Sequence, residues 1–290
     1  MTNGSHSPQT WRLIAPDGEA TGAENMAVDQ AMLESVMAGA PPALRFYRWR
    51  PACISLGRNQ QAREVFDRDS IAAAGVDIVR RPTGGGAVLH DRELTYAVAV
   101  PAVALGGPRQ TYARVNAALA AGLRVLGIHA EVASPRDRSG LRDASRGVCF
   151  QAAAPGEILA NGRKLVGSAQ RREASVILQH GSLLLDGSQA LLADVLGAGR
   201  PGWEGTRVMA GAAPAGPRSG ASVAAAAAEI TVASLLGRVP AWSDLVAALR
   251  TGFETILGVR LTPAGLSGAE STRAGELEIW FRSNDWTWRR

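Results

Sequence analysis

Apolar positions along the chain recur with two periods, and the changes between them divide the sequence into elements. In residues 21–37, TGAENMAVDQAMLESVM, the side chains of Met26, Ala27, Ala31, Met32 and Val36 recur at helical spacing, with Asp29 flanking the stripe. This predicts one core-facing helix. Short β-rich runs follow, LRFYRW at 44–49 and CISLG at 53–57, then a helix over 64–74 and the strand VDIVRR over 76–81. LTYAVAV at 94–100 reads as another strand and 110–126 as a second long helix. Asn161-Gly162 stands between EILA and RKLV, a strong two-residue hairpin signal, and VILQHGSLLL at 176–185 is the next strand. The Ala/Pro/Gly-rich stretch 205–222 reads as a long loop, and helical patterns resume over 223–236, 242–257 and 269–282. Strands and helices mix without strict βαβ alternation and without an internal repeat. The expected fold class is therefore α+β, a mixed, mostly antiparallel sheet core flanked by helices. Residues 1–10 are polar and expected to be a flexible N-terminus, with 11–290 a single domain whose C-terminal part is helical.

Composition narrows the class. The chain has 290 residues, 46% hydrophobic and 20% charged, as in an ordinary globular protein. Its start lacks the charged and apolar regions of a leader, and no apolar run approaches the roughly 18 residues of a membrane span, so a cytoplasmic protein, away from membranes, is expected. Cys53 and Cys149 stand far apart with no CxxC or Cys/His cluster, which argues against a disulfide framework or a metal site. The net charge of +5 raises nucleic-acid binding as a class. Its distribution argues against that class: the arginines are scattered or paired, as in Arg80-Arg81, Arg171-Arg172 and Arg289-Arg290, with no basic run interleaved with aromatics. Such a surface suits an acidic protein partner. A monomer is the default expectation.

Among 31 basic side chains only one is a lysine, Lys164, in NGRKLVGSAQ. Arginine has replaced lysine wherever a generic cation serves, so the survivor draws attention. A lysine is a compact charge that can exchange a proton, which a guanidinium does not do, so a chemical role is favoured over chance survival on a solvated hairpin. A second unusual stretch is RRPTGGGAVLHD at 80–91. Gly84, Gly85 and Gly86 add nothing to strand stability; they admit close backbone approach to a ligand or form a tight turn. His90, four residues on, is open between a structural and a binding role.

These pieces also keep a recognisable order. RRPTGGGAVLHD, the segment CFQAAAPGEILANGRKLVGSAQRR at 149–172 and ILQHGSLLLD at 177–186, with ENMAVDQAML and FYRW upstream, resemble the lipoate/biotin protein ligase superfamily over roughly residues 11–290. Within it the likeness is nearest to the cysteine-dependent octanoyltransferases of the LipM type. Their hallmark is a cysteine directly before Phe, ahead of the GRK lysine; here these are Cys149-Phe150 and Lys164. The resemblance implies a lipoate/biotin protein ligase-like catalytic domain with Cys149 and Lys164 as catalytic pair. It implies substrate contacts from Arg80, Arg81, Gly84, Gly85, Gly86, His90, Gly167, Ser168 and Ala169, the two arginines either supporting the glycine loop or meeting the carrier's phosphopantetheine. The implied donor is octanoyl-acyl carrier protein, the acceptor a lysine of a lipoyl domain such as glycine cleavage H protein, and no cofactor is needed. An ammonium beside a thiol lowers its pKa, which is the physical content of that pair.

Two other readings stay open. ATP-dependent lipoate ligases, which use ATP and Mg2+, share the glycine loop and the lysine, but they do not depend on the cysteine and usually read GNA where this chain reads Gly167-Ser168-Ala169. A non-catalytic acyl- or nucleic-acid-binding module is the third. Cys53, in an apolar strand, is expected to be a buried core thiol, and His180 is expected to be structural rather than catalytic.

Overall fold

The computed structural model describes residues 8–63, 66–133, 155–190, 192 and 229–290. The chain begins with β1 (Gln9–Ile14) and a short β2 (Glu19–Ala20), then forms α1 (Gly22–Met37). Thr21 starts α1: its hydroxyl accepts from the Glu24 N–H while the Glu24 carboxylate accepts from the Thr21 N–H, a reciprocal cap. There follow β3 (Ala43–Trp49), β4 (Cys53–Leu56), α2 (Arg68–Ala73), β5 (Asp77–Arg80), β6 (Val88–His90), β7 (Glu93–Pro101) and α3 (Pro108–Val125). Next come β8 (Glu131–Val132), β9 (Ile158–Ala160), β10 (Arg163–Glu173) and β11 (Val176–Leu184). The C-terminal part holds α4 (Val232–Leu236), α5 (Trp242–Leu257), β12 (Val259–Pro263), α6 (Gly268–Arg282) and α7 (Asn284–Thr287).

One large sheet runs β12-β1-β3-β7-β11-β10-β9-β8 with β2 beside β3, and β5-β4-β6 form a second, small sheet. β12, β1 and β3 pair in parallel, and every pairing from β3 onward along that path is antiparallel, as a mixed, mostly antiparallel sheet requires. Asn161 and Gly162 turn β9 into β10 with φ of 50° and 71°, the positive values that a two-residue hairpin needs.

The period of two along each strand sorts side chains between two cores. Leu44 and Phe46 of β3 and Tyr96 and Val98 of β7 face α3 and α5, packing on Leu119, Leu249 and Phe253. Tyr47, Trp49 and Leu178 face the opposite way, toward Met26, Met32 and Leu33 of α1 and Leu277 and Phe281 of α6. On that α1 face, at the end covered by the small sheet, alternation brings polar groups together: Arg45 and Tyr47 from β3, Glu93 and Thr95 from β7, His180 and Ser182 from β11. This is the only place on the α1 face, among the described residues, where three adjacent central strands each contribute polar side chains of this kind.

Several expectations need correction. Gln9 and Thr10 are not a flexible end; they pair with Val259 and Arg260 of β12, a strand whose partner is too remote in sequence to be read locally. Among the described residues of the helix expected over 64–74, which exclude 64 and 65, helix starts at Arg68, because the Asp67 side chain accepts from the Asp69 N–H and caps it there. Of the helix expected over 223–236, residues 223–228 lie outside the described residues, Glu229 forms a β-bridge with Lys164, and Val232–Leu236 is helical after a Thr231/Ser234 cap. The loop expected at 205–222 lies outside the described residues.

Candidate active site

A cleft of about 370 Å³, its open mouth included, lies between the α1 face of the large sheet and the small sheet. Met26, Tyr47, Trp49 and Val88 give it apolar walls, and Gly167 to Ala169 of β10 and His180 to Ser182 of β11 give it a floor with little side-chain bulk. Sites for small ligands commonly have this apolar character.

Asp29 organises one wall. It is fully buried in α1 and accepts hydrogen bonds from Arg45 Nη1 at 2.8 Å, Tyr47 Oη at 2.8 Å and His180 Nδ1 at 3.0 Å. With Nδ1 donating to Asp29, His180 Nε2 is the acceptor for the Thr83 hydroxyl 2.6 Å away. Thr83 belongs to the glycine loop, so this neutral tautomer ties the loop to the sheet. Burial pushes the His180 pKa down, opposed by the Asp29 carboxylate. The unfolded chain carries the ordinary histidine pKa, so it takes up a proton on acidification before the folded chain does. Stability contributed by neutral His180 is therefore present above about pH 6.5 and falls as pH drops through that value. Melting temperatures measured from pH 7.5 to 5 should fall less steeply in His180→Gln than in the parent; parallel slopes would remove His180 from the acid response.

Arg81 holds the loop from the other side. Its Nη2 donates to the carbonyls of Gly84 and Gly86 at 2.6 and 2.8 Å, and its Nη1 to the backbone and hydroxyl oxygens of Ser55. His90 stacks on Trp49 with ring centroids 3.9 Å apart, meets Ser55 Oγ at 2.7 Å through Nε2 and donates from Nδ1 to Glu93 at 2.7 Å. Only Gly85 of the triple glycine needs glycine for its φ of 96°, and a Cβ there would stand 2.8 Å from Arg81 Nη2.

Lys164 is the second residue of β10, whose Gly167 to Ala169 form part of the cleft floor. It is 2% exposed, and its Nζ lies 2.8 Å from a carboxylate oxygen of the equally buried Glu157. The solvated-hairpin reading of this lysine is thereby excluded. Glu157 itself is placed by the bond from the Ala133 N–H to its carbonyl, at the point where the chain re-enters the described residues.

The sequence-derived candidates separate as follows. Arg81, His90, Gly167, Ser168 and Ala169 line the cleft, whereas Lys164 does not line it and stands earlier on the same strand as its floor. Gly84, Gly85 and Gly86 form the loop that Arg81 holds, without lining the cleft. Arg80 is turned away: it is fully buried, and its guanidinium donates to the carbonyls of Gly57, Gln60 and Thr287. Arg81 thus supports the glycine loop through its bonds to Gly84 and Gly86, whereas the Arg80 guanidinium neither bonds that loop nor lines the cleft. Cys149 lies outside the described residues. Cys53 is fully buried, and burial pushes its thiol pKa well up, which suits an inert core group. Sequence reasoning missed Asp29, Arg45, Glu93 and Glu157. The available signal was charge in apolar context: Asp29 between Met26 and Met32 on a helical stripe, Arg45 inside LRFYRW.

Among the described residues no helix is long and apolar enough to cross a membrane. The fold is that of the lipoate-protein ligases. A bi-partite lipoate protein ligase from Thermoplasma acidophilum superposes with a TM-score of 0.74 at 21% identity, covering 98% of this chain and 97% of that one. The lipoyl protein ligase A/B catalytic domain matches residues 21–215, and the chain belongs to that family. Relatives named octanoyltransferase LipM include that of Kyrpidia tusciae, 37% identical over 97% of this chain and 100% of its own length. That of Bacillus subtilis is 34% identical over 97% of this chain and 99% of its own length.

Proposed function

We propose that the protein is an octanoyltransferase of lipoate biosynthesis, moving an octanoyl group from octanoyl-acyl carrier protein through a thioester on Cys149 to a lysine of a lipoyl domain, such as glycine cleavage H protein. The observation that carries this is Lys164, a buried ammonium paired with Glu157 on the strand that supplies the cleft floor, in a family whose relatives are named for octanoyl transfer. In the first step the Cys149 thiolate attacks the donor carbonyl and the carrier thiol leaves, taking up a proton; one thioester replaces another. In the second, the acceptor amine attacks that thioester, forming an amide, losing a proton and releasing the Cys149 thiol. Neither step needs ATP or a metal ion. The Lys164 ammonium favours the thiolate, and Glu157 fixes where that charge stands. The enzyme acts in the cytoplasm as a monomer.

The octanoyl chain lies in the cleft. About six methylenes buried there are worth roughly 5 kcal/mol of binding. Because Gly85 is constrained by φ and by Arg81, the test of chain-length selection belongs on the floor, at Ala169. Ala169→Leu should lower kcat/KM for octanoyl by about tenfold or more relative to butanoyl, since the shorter chain leaves the filled depth empty. An unchanged ratio in a variant that melts like the parent would put the chain elsewhere.

The transfer reaction is tested by incubating purified protein with octanoyl-carrier and no ATP, followed by mass spectrometry with peptide mapping. One octanoyl group on Cys149 is the expected product. Acylation seen only with ATP, as an adenylate, would favour ligation instead, and no acylation would reduce the protein to a binding module.

A further inference from the structure

The last residues of the chain pack behind the glycine loop. Trp286 Nε1 donates to the Arg80 carbonyl at 2.7 Å, and the Arg80 guanidinium returns bonds to the carbonyls of Thr287, Gly57 and Gln60. The Arg58 N–H in turn donates to the Thr83 carbonyl at 2.7 Å. Terminus, residues 57–60 and loop thus form one hydrogen-bonded unit.

On that unit two cations crowd one ring. The guanidinium carbons of Arg289 and Arg58 lie 4.0 and 5.7 Å from the centroid of Trp286, and Arg289 also donates to the Arg58 carbonyl. Neither guanidinium has a carboxylate partner among the described residues, and Arg289 Nε is buried with no hydrogen-bond acceptor. Among the described residues, the acids lining the neighbouring groove are engaged elsewhere: Glu173 with Arg171, Glu34 and Glu276 with Arg273, each at 2.7 Å. Burial, then repulsion from Arg289, Arg290 and Arg81, lowers the Arg80 pKa to about 10, and burial followed by Arg58 and Arg290 lowers that of Arg289. Like charges held together with no carboxylate partner among the described residues fit an anion that arrives with a ligand.

We propose that Arg58 and Arg289, stacked on Trp286, bind a phosphodiester, the group through which an acidic acyl carrier protein holds its thioester arm. The site rests on the carrier being the donor, as proposed above. Position supports it: Arg58 and Trp286 line an open groove that reaches Pro82, while Arg81 on the same loop lines the acyl cleft. Phosphate outside the loop and acyl chain inside it are what one arm carrying both would need. A planar guanidinium matches phosphate oxygens in pairs, and two such groups are too few to track a nucleic-acid backbone.

The test compares octanoyl-carrier with octanoyl-pantetheine, which has no phosphate, as donors for the parent and Arg58→Ala. The Arg58 side chain makes no hydrogen bond among the described residues, so its removal leaves the fold in place, and a thermal melt checks this. KM for octanoyl-carrier should rise about tenfold at unchanged kcat, with a shallower salt dependence, while octanoyl-pantetheine changes less than twofold. Calorimetry of phosphopantetheine and pantetheine gives a readout independent of transfer: the parent should prefer the phosphate form, and Arg58→Ala and Arg289→Ala should lose that preference. Equal loss on both donors, or equal affinity of the parent for both arms, overturns the phosphate site. A parent that shows the phosphate preference yet transfers nothing from octanoyl-carrier sinks the transferase reading and leaves the site standing.

Discussion

Cys149→Ala should form no acyl-enzyme and lose transfer by on the order of 10⁴-fold or more, with the melting temperature of the parent. Removal of a nucleophile that forms the covalent intermediate leaves only binding and positioning to act, and losses of this size are usual for such groups. Cys53→Ala is the paired control. That thiol is fully buried, packed close to Gly22 and pushed toward its protonated form by burial, so it is neither reachable nor ionised. Its removal should cost about 1 kcal/mol through a small void, lowering the melting temperature by roughly 2–4 °C and leaving kcat/KM within twofold. Steady-state transfer of octanoyl from carrier protein measures both variants. If Cys149→Ala works as well as the parent, or Cys53→Ala loses the acyl-enzyme, the nucleophile has been misassigned.

Lys164→Arg should lose roughly 10²- to 10³-fold in kcat/KM while keeping its charge. A guanidinium stays protonated and is broader than an ammonium, and the lysine site is closed, with 2% of the side chain exposed and Glu157 at 2.8 Å. Glu157→Gln separates the roles of charge and position. It keeps the lysine but removes the carboxylate facing it, and breaking a buried pair costs about 3 kcal/mol, or roughly 6–12 °C in melting temperature for a chain of this size. Activity in that variant, measured well below its melting point, should fall as the ammonium loses its fixed place. Parental turnover in Lys164→Arg would mean that any cation suffices, and the single lysine among thirty arginines would need another cause.

Local pattern carried much of this protein's architecture. The Asn161-Gly162 hairpin, the helix ending at Leu257 and the strand from Val176 follow from φ preferences and apolar spacing that act within a few residues, so sequence alone determined them. Lys164 and the triple glycine stood out because residue choice there defied composition and propensity. Other features depended on partners far along the chain. The first residues of β1 are strand because β12 lies beside them, 250 residues later, and Arg80 faces the C-terminal carbonyls although its neighbour Arg81 faces the cleft, since successive strand residues point to opposite sides. The same alternation, summed over β3, β7 and β11, collects Arg45, Glu93 and His180 onto one face, where Asp29 of α1 meets two of them. No single strand records that convergence. Sequence therefore determined which residues are chemically unusual, whereas the packing of distant strands decided which of them share a buried space, because a charge can be buried only where a partner from another element reaches it.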